Sequence, residues 1–242
     1  MLQDFAADGV VYLELRTTPR AMPAAGLTEA DYVRTILEAI AEYEQQASQE
    51  GGTGGHSEAG LRTKLILSVT SIPPLPHPFP ASSPTCLHTY EKRVCPLISF
   101  NLTEHIQIDR RHTPTQATQV LALAKHFLGH GVVGIDLCGD PATPLNLAAL
   151  SPIFEEEARR RSRDVPHRLG VTLHFAEAEC SASDAELDTM LLGWRPDRLG
   201  HVICVSERVK REIVGSGRGI GLELCLSCNV HAGMVCGGFE GQ

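Results

Sequence analysis

Residues 170–177, GVTLHFAE, join a continuous apolar run to a histidine and a glutamate. Apolarity without polar alternation is typical of a strand that is covered on both faces, as strands of parallel sheets are. His174 and Glu177 then stand where this strand ends. Functional side chains of parallel α/β proteins collect at the carboxyl ends of the strands. The stretch therefore predicts a parallel sheet with a site at one edge.

Five more runs of this kind recur along the chain. They are VVYLELR (10–16), KLILSV (64–69), VVGIDL (132–137), RLGHVI (198–203) and IGLELCL (220–226). Helical patterns with polar start signals lie between them, and the signals are Thr28, Thr113 with Pro114 and Gln116, Ser183 with Glu186, and Ser206. Six alternations of strand and helix predict an α/β fold, either doubly wound or a barrel.

One segment interrupts this alternation. Residues 72–107 hold seven of the 15 prolines, and proline fixes φ and removes a backbone donor. No buried strand or helix is expected through the first half of the segment. It is predicted to be a disordered insertion that divides one barrel domain into residues 1–71 and 108–242. Just before it, the glycine- and serine-rich residues 49–60 are predicted to form a loose connection.

Composition excludes several classes of protein. The net charge is -8 and the basic residues are scattered, so no nucleic-acid partner is expected. No run approaches the ~18 apolar residues of a membrane helix, and no basic segment precedes an apolar one at the start. The sequence predicts a cytoplasmic protein without a membrane partner. Its eight cysteines are too sparse for a disulfide scaffold.

Five motifs follow the predicted strands in order. They are YLELRTTPR (12–20), GIDLCGDP (134–141), LHFAEAE (173–179), DRLGH (197–201) and LELCLSCNV (222–230). Together they resemble the strand-end motifs of the adenosine and AMP deaminase family, and most of all its adenosine deaminase-like branch, which deaminates N6-methyl-AMP. The resemblance implies an incomplete (β/α)8 TIM barrel of the metal-dependent hydrolase type, with about six of eight strands.

The resemblance also implies roles for particular residues. His174 is similar to a zinc ligand, and zinc is the cofactor to expect. Glu177 is similar to the acid that protonates the purine ring. His201 is similar to the histidine that positions the attacking hydroxide, and Gly139 to a backbone group that meets the purine.

Five further residues match positions that contact the nucleotide in this branch. They are Thr17, Thr18, Pro19, Arg20 and Asp109. Arg20 is a candidate partner for a phosphate group, because a guanidinium binds phosphate oxygens in pairs. The implied partner is a small purine nucleotide, and the implied products are IMP and methylamine or ammonia.

The sequence departs from the family in two places. It has neither the His-x-His pair nor the Asp-Asp pair that the family uses for zinc and purine. Of the expected protein ligands only His174 is matched, whereas catalytic zinc sites use about three. The 242 residues are therefore expected to be inactive and not to retain catalytic zinc. The alternative function is a non-catalytic fragment or isoform with weak nucleotide binding or an interaction role.

Three other motifs have simpler interpretations. Cys225 and Cys228 have the spacing of a zinc or redox pair, but they are predicted to lie at the end of a buried strand. GSGRGIG (215–221) follows a helix pattern, so a helix-ending turn is expected and not a dinucleotide loop. The charged run 155–163 is predicted to be a solvated helix face with opposite charges three and four residues apart.

Overall fold

A computed structural model describes residues 1–17, 19–50, 61–67, 108–110, 113–161 and 168–235. Its centre is one sheet in which every described strand pair is parallel. The strands are β1 (Tyr12–Thr17), β2 (Arg62–Leu67), β3 (Ile108–Asp109), β4 (Val132–Cys138), β5 (Gly170–Phe175), β6 (Arg198–His201) and β7 (Gly221–Glu223). The six main strands follow the order β1-β2-β4-β5-β6-β7, with β3 beside β4.

Seven α-helices precede, separate or follow the strands. They are α1 (Leu2–Ala7), α2 (Glu29–Glu50), α3 (Pro114–His126), α4 (Leu147–Arg161), α5 (Asp184–Asp188), α6 (Glu207–Gly215) and α7 (Leu226–His231) among the described residues. The predicted caps are formed. The Thr113 hydroxyl accepts a hydrogen bond from the Gln116 amide, and the Ser206 hydroxyl accepts one from the Val209 amide.

The sheet curls, because side chains of the first strand reach the last two. Arg16 of β1 forms an ion pair with Glu223 of β7, and Glu14 of β1 forms one with Arg198 of β6. Arg198 also lies 3.3 Å from Glu223. These four side chains point into the concave side of the sheet. The structure is therefore a curled half-barrel of α/β type.

Strands β2 and β3 lie end to end along the same side of β4. Leu67 is in register with Ile135, and Ile108 is in register with Leu137. The two strands on either side of residues 68–107 therefore pair with neighbouring positions of β4. The prediction of a disordered insertion at 72–107 lies outside the described residues, as do the glycine-rich residues 51–60.

The hydrophobic core fills the space between the convex side of the sheet and the helices. Phe154 of α4 and Trp194 are fully buried and their rings stack 4.5 Å apart. The Trp194 indole N–H donates to the hydroxyl of Ser151 at 3.1 Å, so the ring's one polar atom is paired. Leu173 and Phe175 of β5 are fully buried in the same core.

Several predicted boundaries were wrong. The run 220–226 forms a strand only over Gly221–Glu223, because β7 pairs with β6 alone among the described strands and Leu224 is 74% exposed. Helix α2 continues to Glu50, so the predicted connection at 49–60 starts in a helix.

The prediction that the charged run 155–163 forms a solvated helix face is correct in part. Glu156 pairs with Arg159 at 2.8 Å and Arg160 at 3.2 Å, as predicted for a solvated face. Glu157, however, is only 4% exposed and forms an ion pair with Lys125 of α3 at 2.6 Å. Because α3 packs against α4, the Glu157 carboxylate lies buried against Lys125 and not in solvent.

The interpretation of GSGRGIG is confirmed. Helix α6 ends at Gly215, and Gly217 and Gly219 have φ of 65° and 62°, in the region that glycine adopts without strain.

None of the described helices has the length and apolarity needed to cross a membrane.

The cap of α3 provides a test of the fold. The Thr113 amide donates to the Gln116 side chain at 3.1 Å, which completes a reciprocal capping box. We expect Thr113→Ala to lower the free energy of unfolding by about 1 kcal/mol in urea denaturation. Thr118→Ala, at an exposed position inside the same helix, is the control and should change it less. Equal losses in the two variants would contradict the assignment.

Candidate active site

His174, near the end of β5, faces the end of β4. Its Nδ1 lies 3.2 Å from Oδ1 of Asp136 and 3.1 Å from the carbonyl oxygen of Leu137. Both neighbours are acceptors, so the arrangement favours a proton on Nδ1 and leaves the lone pair on Nε2. The Asp136 carboxylate therefore fixes the orientation and the tautomer of His174.

The same carboxylate controls the charge of His174. Burial lowers the pKa of the imidazole, but the negative charge of Asp136, its hydrogen bond to the ring and the more distant charge of Glu177 outweigh burial. The pKa of His174 is raised above its usual value as a result. Arg16 opposes this effect, because its guanidinium lies 3.6 Å from Asp136.

Asp136, Cys138 and His174 could together hold a metal ion. One possible ligand atom from each lies within 4.8 Å of the others, and no second group of three such residues occurs in the described part of the chain. Carboxylate, thiolate and imidazole suit a borderline-soft cation such as Zn²⁺. Oδ2 of Asp136 is buried without a hydrogen bond, so a lone pair for a cation is available. The donor set therefore fits the metal that the sequence resemblance implies.

His201 stands beside this group at the end of β6. The ring centroids of His201 and His174 are 5.1 Å apart. Nδ1 of His201 lies 2.6 Å from Oδ1 of Asn229, and Nε2 lies 3.5 Å from Oε1 of Glu177. Because the amide oxygen of Asn229 accepts, Nδ1 donates to it, and Nε2 is left to face the Glu177 carboxylate.

Unusual backbone conformations surround these side chains. Ala176, His201 and Val202 have φ of 50°, 63° and 55°, which residues with a Cβ rarely adopt. The amide of Val202 donates to the carbonyl of Phe175 at 3.0 Å, which helps to hold the turn. Backbone strain that the surrounding structure maintains is found most often at functional sites.

Two cavities adjoin the site. A small one of about 10 Å³, enough for one water molecule, lies among His174, Glu177, Gly139 and Arg110. A larger one of about 360 Å³, within the size range of ligand pockets, lies against His201 beside β7. The small cavity is therefore lined by His174, Glu177 and Gly139. These are the residues predicted as metal ligand, as acid and as purine contact, respectively.

The other predicted substrate residues lie apart from this cavity or outside the described residues. The Thr17 hydroxyl lies 3.0 Å from the hydroxyl of Tyr32 on α2. Pro19 is buried and Arg20 is partly buried. The backbone of Asp109 is in register with Cys138, although its side chain, like all of Thr18, is not described. Contact of these residues with a nucleotide stays a prediction.

Cys225 and Cys228 do not lie in a buried strand, which corrects the prediction. Cys225 precedes helix α7 and its thiol donates to the carbonyl of Glu223 at 3.4 Å, while Cys228 lies within α7 and is exposed. The edge strand ends early, so the chain turns into a helix before reaching them. None of the five described cysteines forms a disulfide.

Sequence reasoning included Asp136, Cys138 and Asn229 in strand-end motifs but assigned none of them a role in the site. Asp136 and Cys138 stand two residues apart on a strand, so they point to the same face, and that spacing could have revealed them. Asn229 has no such signal. It reaches His201 only because α7 folds back under β6.

The chain is similar in sequence to known proteins over most of its length. Over 97% of its length the chain is 29% identical to N6-Methyl-AMP deaminase-L of Xenopus laevis and 28% identical to N6-Methyl-AMP deaminase of Homo sapiens. No family model matches. The predicted resemblance is confirmed. The chain spans about half the length of these relatives, 51% in both cases.

Solved structures agree on the fold. The Arabidopsis N6-mAMP deaminase superimposes with a TM-score of 0.62 at 23% identity, and the match covers 98% of this chain and 53% of that one. Arabidopsis ADAL complexed with IMP gives 0.63 at 23% identity over 97% and 52%. The predicted incomplete (β/α)8 barrel is therefore confirmed.

Asp136→Asn tests the electrostatics of the site. Burial lowers the pKa of His174, and the charge of Asp136 raises it. We therefore expect the pKa of His174 to fall when the carboxylate is removed. NMR titration of the imidazole in chelator-treated protein measures this. Asp140→Asn changes an exposed carboxylate four residues further on and should leave the titration unchanged. An unaltered pKa in Asp136→Asn would contradict the assignment.

Substitutions of Asn229 test whether its side chain sets the orientation and tautomer of His201. Asn229→Leu leaves a buried N–H donor without its acceptor, which should cost about 1–3 kcal/mol of stability or allow the other tautomer. Imidazole ¹⁵N shifts report the tautomer directly. Asn229→Asp retains an oxygen acceptor and should keep the proton on Nδ1. A single Nδ1–H tautomer in the leucine variant would show that Asn229 does not set it.

Proposed function

We propose that this chain forms part of the active centre of a zinc-dependent purine nucleotide deaminase, with N6-methyl-AMP or a related adenosine or AMP-type nucleotide as substrate. The products would be IMP and methylamine or ammonia. The convergence of His174, Glu177 and His201 at one edge of the sheet carries the proposal. The similarity to N6-methyl-AMP deaminases supports the substrate class. The cytoplasmic location predicted from sequence belongs to the same proposal.

The metal would be held by His174 together with Asp136 and Cys138. Bound zinc would lower the pKa of water toward ~7 and so supply a nucleophile at neutral pH. The expectation from sequence that this chain does not retain zinc was based on His174 as the one matched protein ligand. With three donor types within 4.8 Å, the number typical of catalytic sites is available. We therefore propose that the 242 residues bind the ion, although Arg16 beside Asp136 would weaken the affinity.

Glu177 would carry the proton that the reaction needs. Its side chain is 13% exposed and lines the small cavity opposite His174. A carboxyl at this position can take a proton from the attacking water and give it to a ring nitrogen. Protonation of the ring nitrogen makes the adjacent carbon more electrophilic. Transfer of the second proton of the attacking water to the exocyclic nitrogen would then let it leave as methylamine or ammonia.

His201 would orient the attacking oxygen and the Glu177 carboxylate. Its Nε2 faces Oε1 of Glu177, and Asn229 holds the opposite side of the ring. Such a buried pair keeps the geometry fixed during the reaction, so little reorganisation is needed. His201 is placed by β6, which is in register with β5 so that His201 lies beside Phe175.

Recognition of the nucleotide would involve Gly139, Thr17, Thr18, Pro19, Arg20 and Asp109. Gly139 lines the small cavity and has a φ of 122°, so its backbone can approach a planar ring where a side chain would interfere. Arg20 would bind the phosphate. Nucleotides are present in two solved Arabidopsis neighbours, which are complexed with IMP and GMP.

A non-catalytic nucleotide-binding or interaction role is the second candidate. The chain spans half the length of its relatives and contains neither the His-x-His nor the Asp-Asp pair. Turnover by these 242 residues alone is therefore not expected. Incubation with N6-methyl-AMP and zinc, followed by mass spectrometry for IMP, distinguishes the two candidates. IMP formation that disappears in His174→Ala would exclude the non-catalytic role.

Glu177→Gln tests the catalytic role in a form of the chain that carries the two missing ligand-bearing strands of a relative. Turnover should fall by about 10²-fold or more, as is typical when a general acid–base group is removed. Zinc content, measured after dialysis, should not change, because Glu177 is not a proposed ligand. Glu179→Gln, at an exposed neighbouring glutamate, is the matched control. Loss of zinc in Glu177→Gln would show that the roles are wrongly assigned.

A further inference from the structure

The cysteine pair Cys225 and Cys228 is a motif that the proposed function does not use. The sequence argues against a redox or zinc interpretation of it, because both thiols are expected at the end of a buried strand. The structure removes that objection. Cys225 stands directly before helix α7, Cys228 lies exposed within the helix, and both thiols are free.

The backbone places the two cysteines at a separation that a disulfide can span. The amide of Asn229 donates to the carbonyl of Cys225 at 2.8 Å, so residues 225–229 form one complete helical turn. Residues i and i+3 of such a turn have Cα atoms about 5 Å apart and lie on the same face. Disulfides join Cα atoms about 4.4–6.8 Å apart. The turn can therefore close a disulfide with little movement of the backbone.

The two thiols have different surroundings. Cys228 is exposed, so its sulfur is open to a reagent in solution. Cys225 is half-buried at the larger cavity beside β7, and its thiol donates to the carbonyl of Glu223 at 3.4 Å. Burial raises the pKa of Cys225, a hydrogen bond from the His201 amide lowers it, and the nearby charge of Cys228 raises it. Cys228 is therefore the thiol that a reagent reaches first, with Cys225 close behind it.

The surroundings of the pair do not supply the further ligands of a zinc site. Zinc in proteins has about three or four protein ligands. In the part of the chain that the structure describes, no third His, Cys, Asp or Glu completes a group with these thiols in which ligand atoms lie within 4.8 Å of one another. Two adjacent free thiols without a third ligand favour oxidation to a disulfide over binding of zinc.

The turn that carries the pair also holds His201 from two directions. The thiol of Cys225 accepts a hydrogen bond from the His201 amide. Asn229, the residue after Cys228, holds the ring, with its Oδ1 2.6 Å from Nδ1. The backbone of His201 has a φ of 63°, a conformation that surrounding contacts must maintain. A disulfide would draw the Cys225 sulfur away from that amide and shift Asn229 with the turn.

We propose that Cys225 and Cys228 are a redox modification site, which a small disulfide such as oxidised glutathione converts to an intramolecular disulfide that alters the hydrogen bonds of His201. The Cys228 thiolate attacks one sulfur of the oxidant, and one glutathione leaves. The Cys225 thiolate then attacks the Cys228 sulfur, and the second glutathione leaves. The protein thiols lose two electrons to the oxidant, and their two protons end on the two glutathione thiols. The disulfide is measured without turnover, so it does not depend on the proposed deaminase function.

The test is equilibration of the chelator-treated chain with mixtures of reduced and oxidised glutathione. Acid quenching, denaturation and alkylation of the free thiols follow, with mass spectrometry of tryptic peptides. Residues 219–242 contain no Lys or Arg, so both cysteines fall in one peptide, and its fragmentation distinguishes them from Cys236. We expect oxidised glutathione to protect Cys225 and Cys228 from alkylation together, and reduced glutathione to reverse this. A disulfide from either thiol to another cysteine, or a glutathione that stays on Cys228, would overturn the proposal.

Cys228→Ser tests the effect of the disulfide on His201. Position 228 is exposed, so this variant should unfold at the same temperature as the parent. The ¹⁵N signals of the His201 imidazole should shift when the parent is oxidised and should not respond in Cys228→Ser. Cys180→Ser removes another exposed cysteine and is the matched control, with the response of the parent. Unchanged His201 signals in the oxidised parent, or a response that persists in Cys228→Ser, would refute the effect on His201.

Discussion

The buried carboxylate of Asp136 is the group on which the candidate active site depends. It lies on β4 with a side chain only 1% exposed, and it contacts His174 of β5 and Arg16 of β1. A buried carboxylate is costly unless charges and hydrogen bonds compensate it. Here the compensating groups are Arg16 and His174, so the contacts of Asp136 connect three strands of the curled sheet. The same contacts hold the His174 ring in one orientation and raise its pKa, so stability of the sheet and chemistry of the site share one interaction.

Parallel pairing brings the remaining groups to this carboxylate. Asp136 is in register with Thr172, and His174 with Gly200, so the carboxyl ends of β4, β5 and β6 reach the same level. Side chains that are far apart in sequence therefore meet at one edge. At this edge the ring centroids of His174 and His201 are 5.1 Å apart.

The two edges of the sheet carry different groups of charged side chains. The carboxyl edge gathers Asp136 and Glu177 around two histidines, which suits a cation and proton transfer. At the amino edge, Arg168, Arg195 and Arg218 line a cavity together with Asp197. On the concave side, alternating ion pairs between β1, β6 and β7 neutralise the charges that the curled sheet encloses.

The sequence by itself determined the order of the six main strands and of the helices that start at predicted caps, together with the strand-end positions of His174, Glu177 and His201. The caps at Thr113, Ser183 and Ser206 are among those it predicted. These features are local, because apolar runs, hydroxyl caps and motif spacing depend on neighbours in the chain. Only the tertiary structure decided that Asn229 holds His201, that Asp136 and Cys138 adjoin His174, and that three arginines share a cavity. Such contacts join residues up to tens of positions apart. Their formation depends on strand register and on how α7 packs, and no local pattern in the chain encodes either of these.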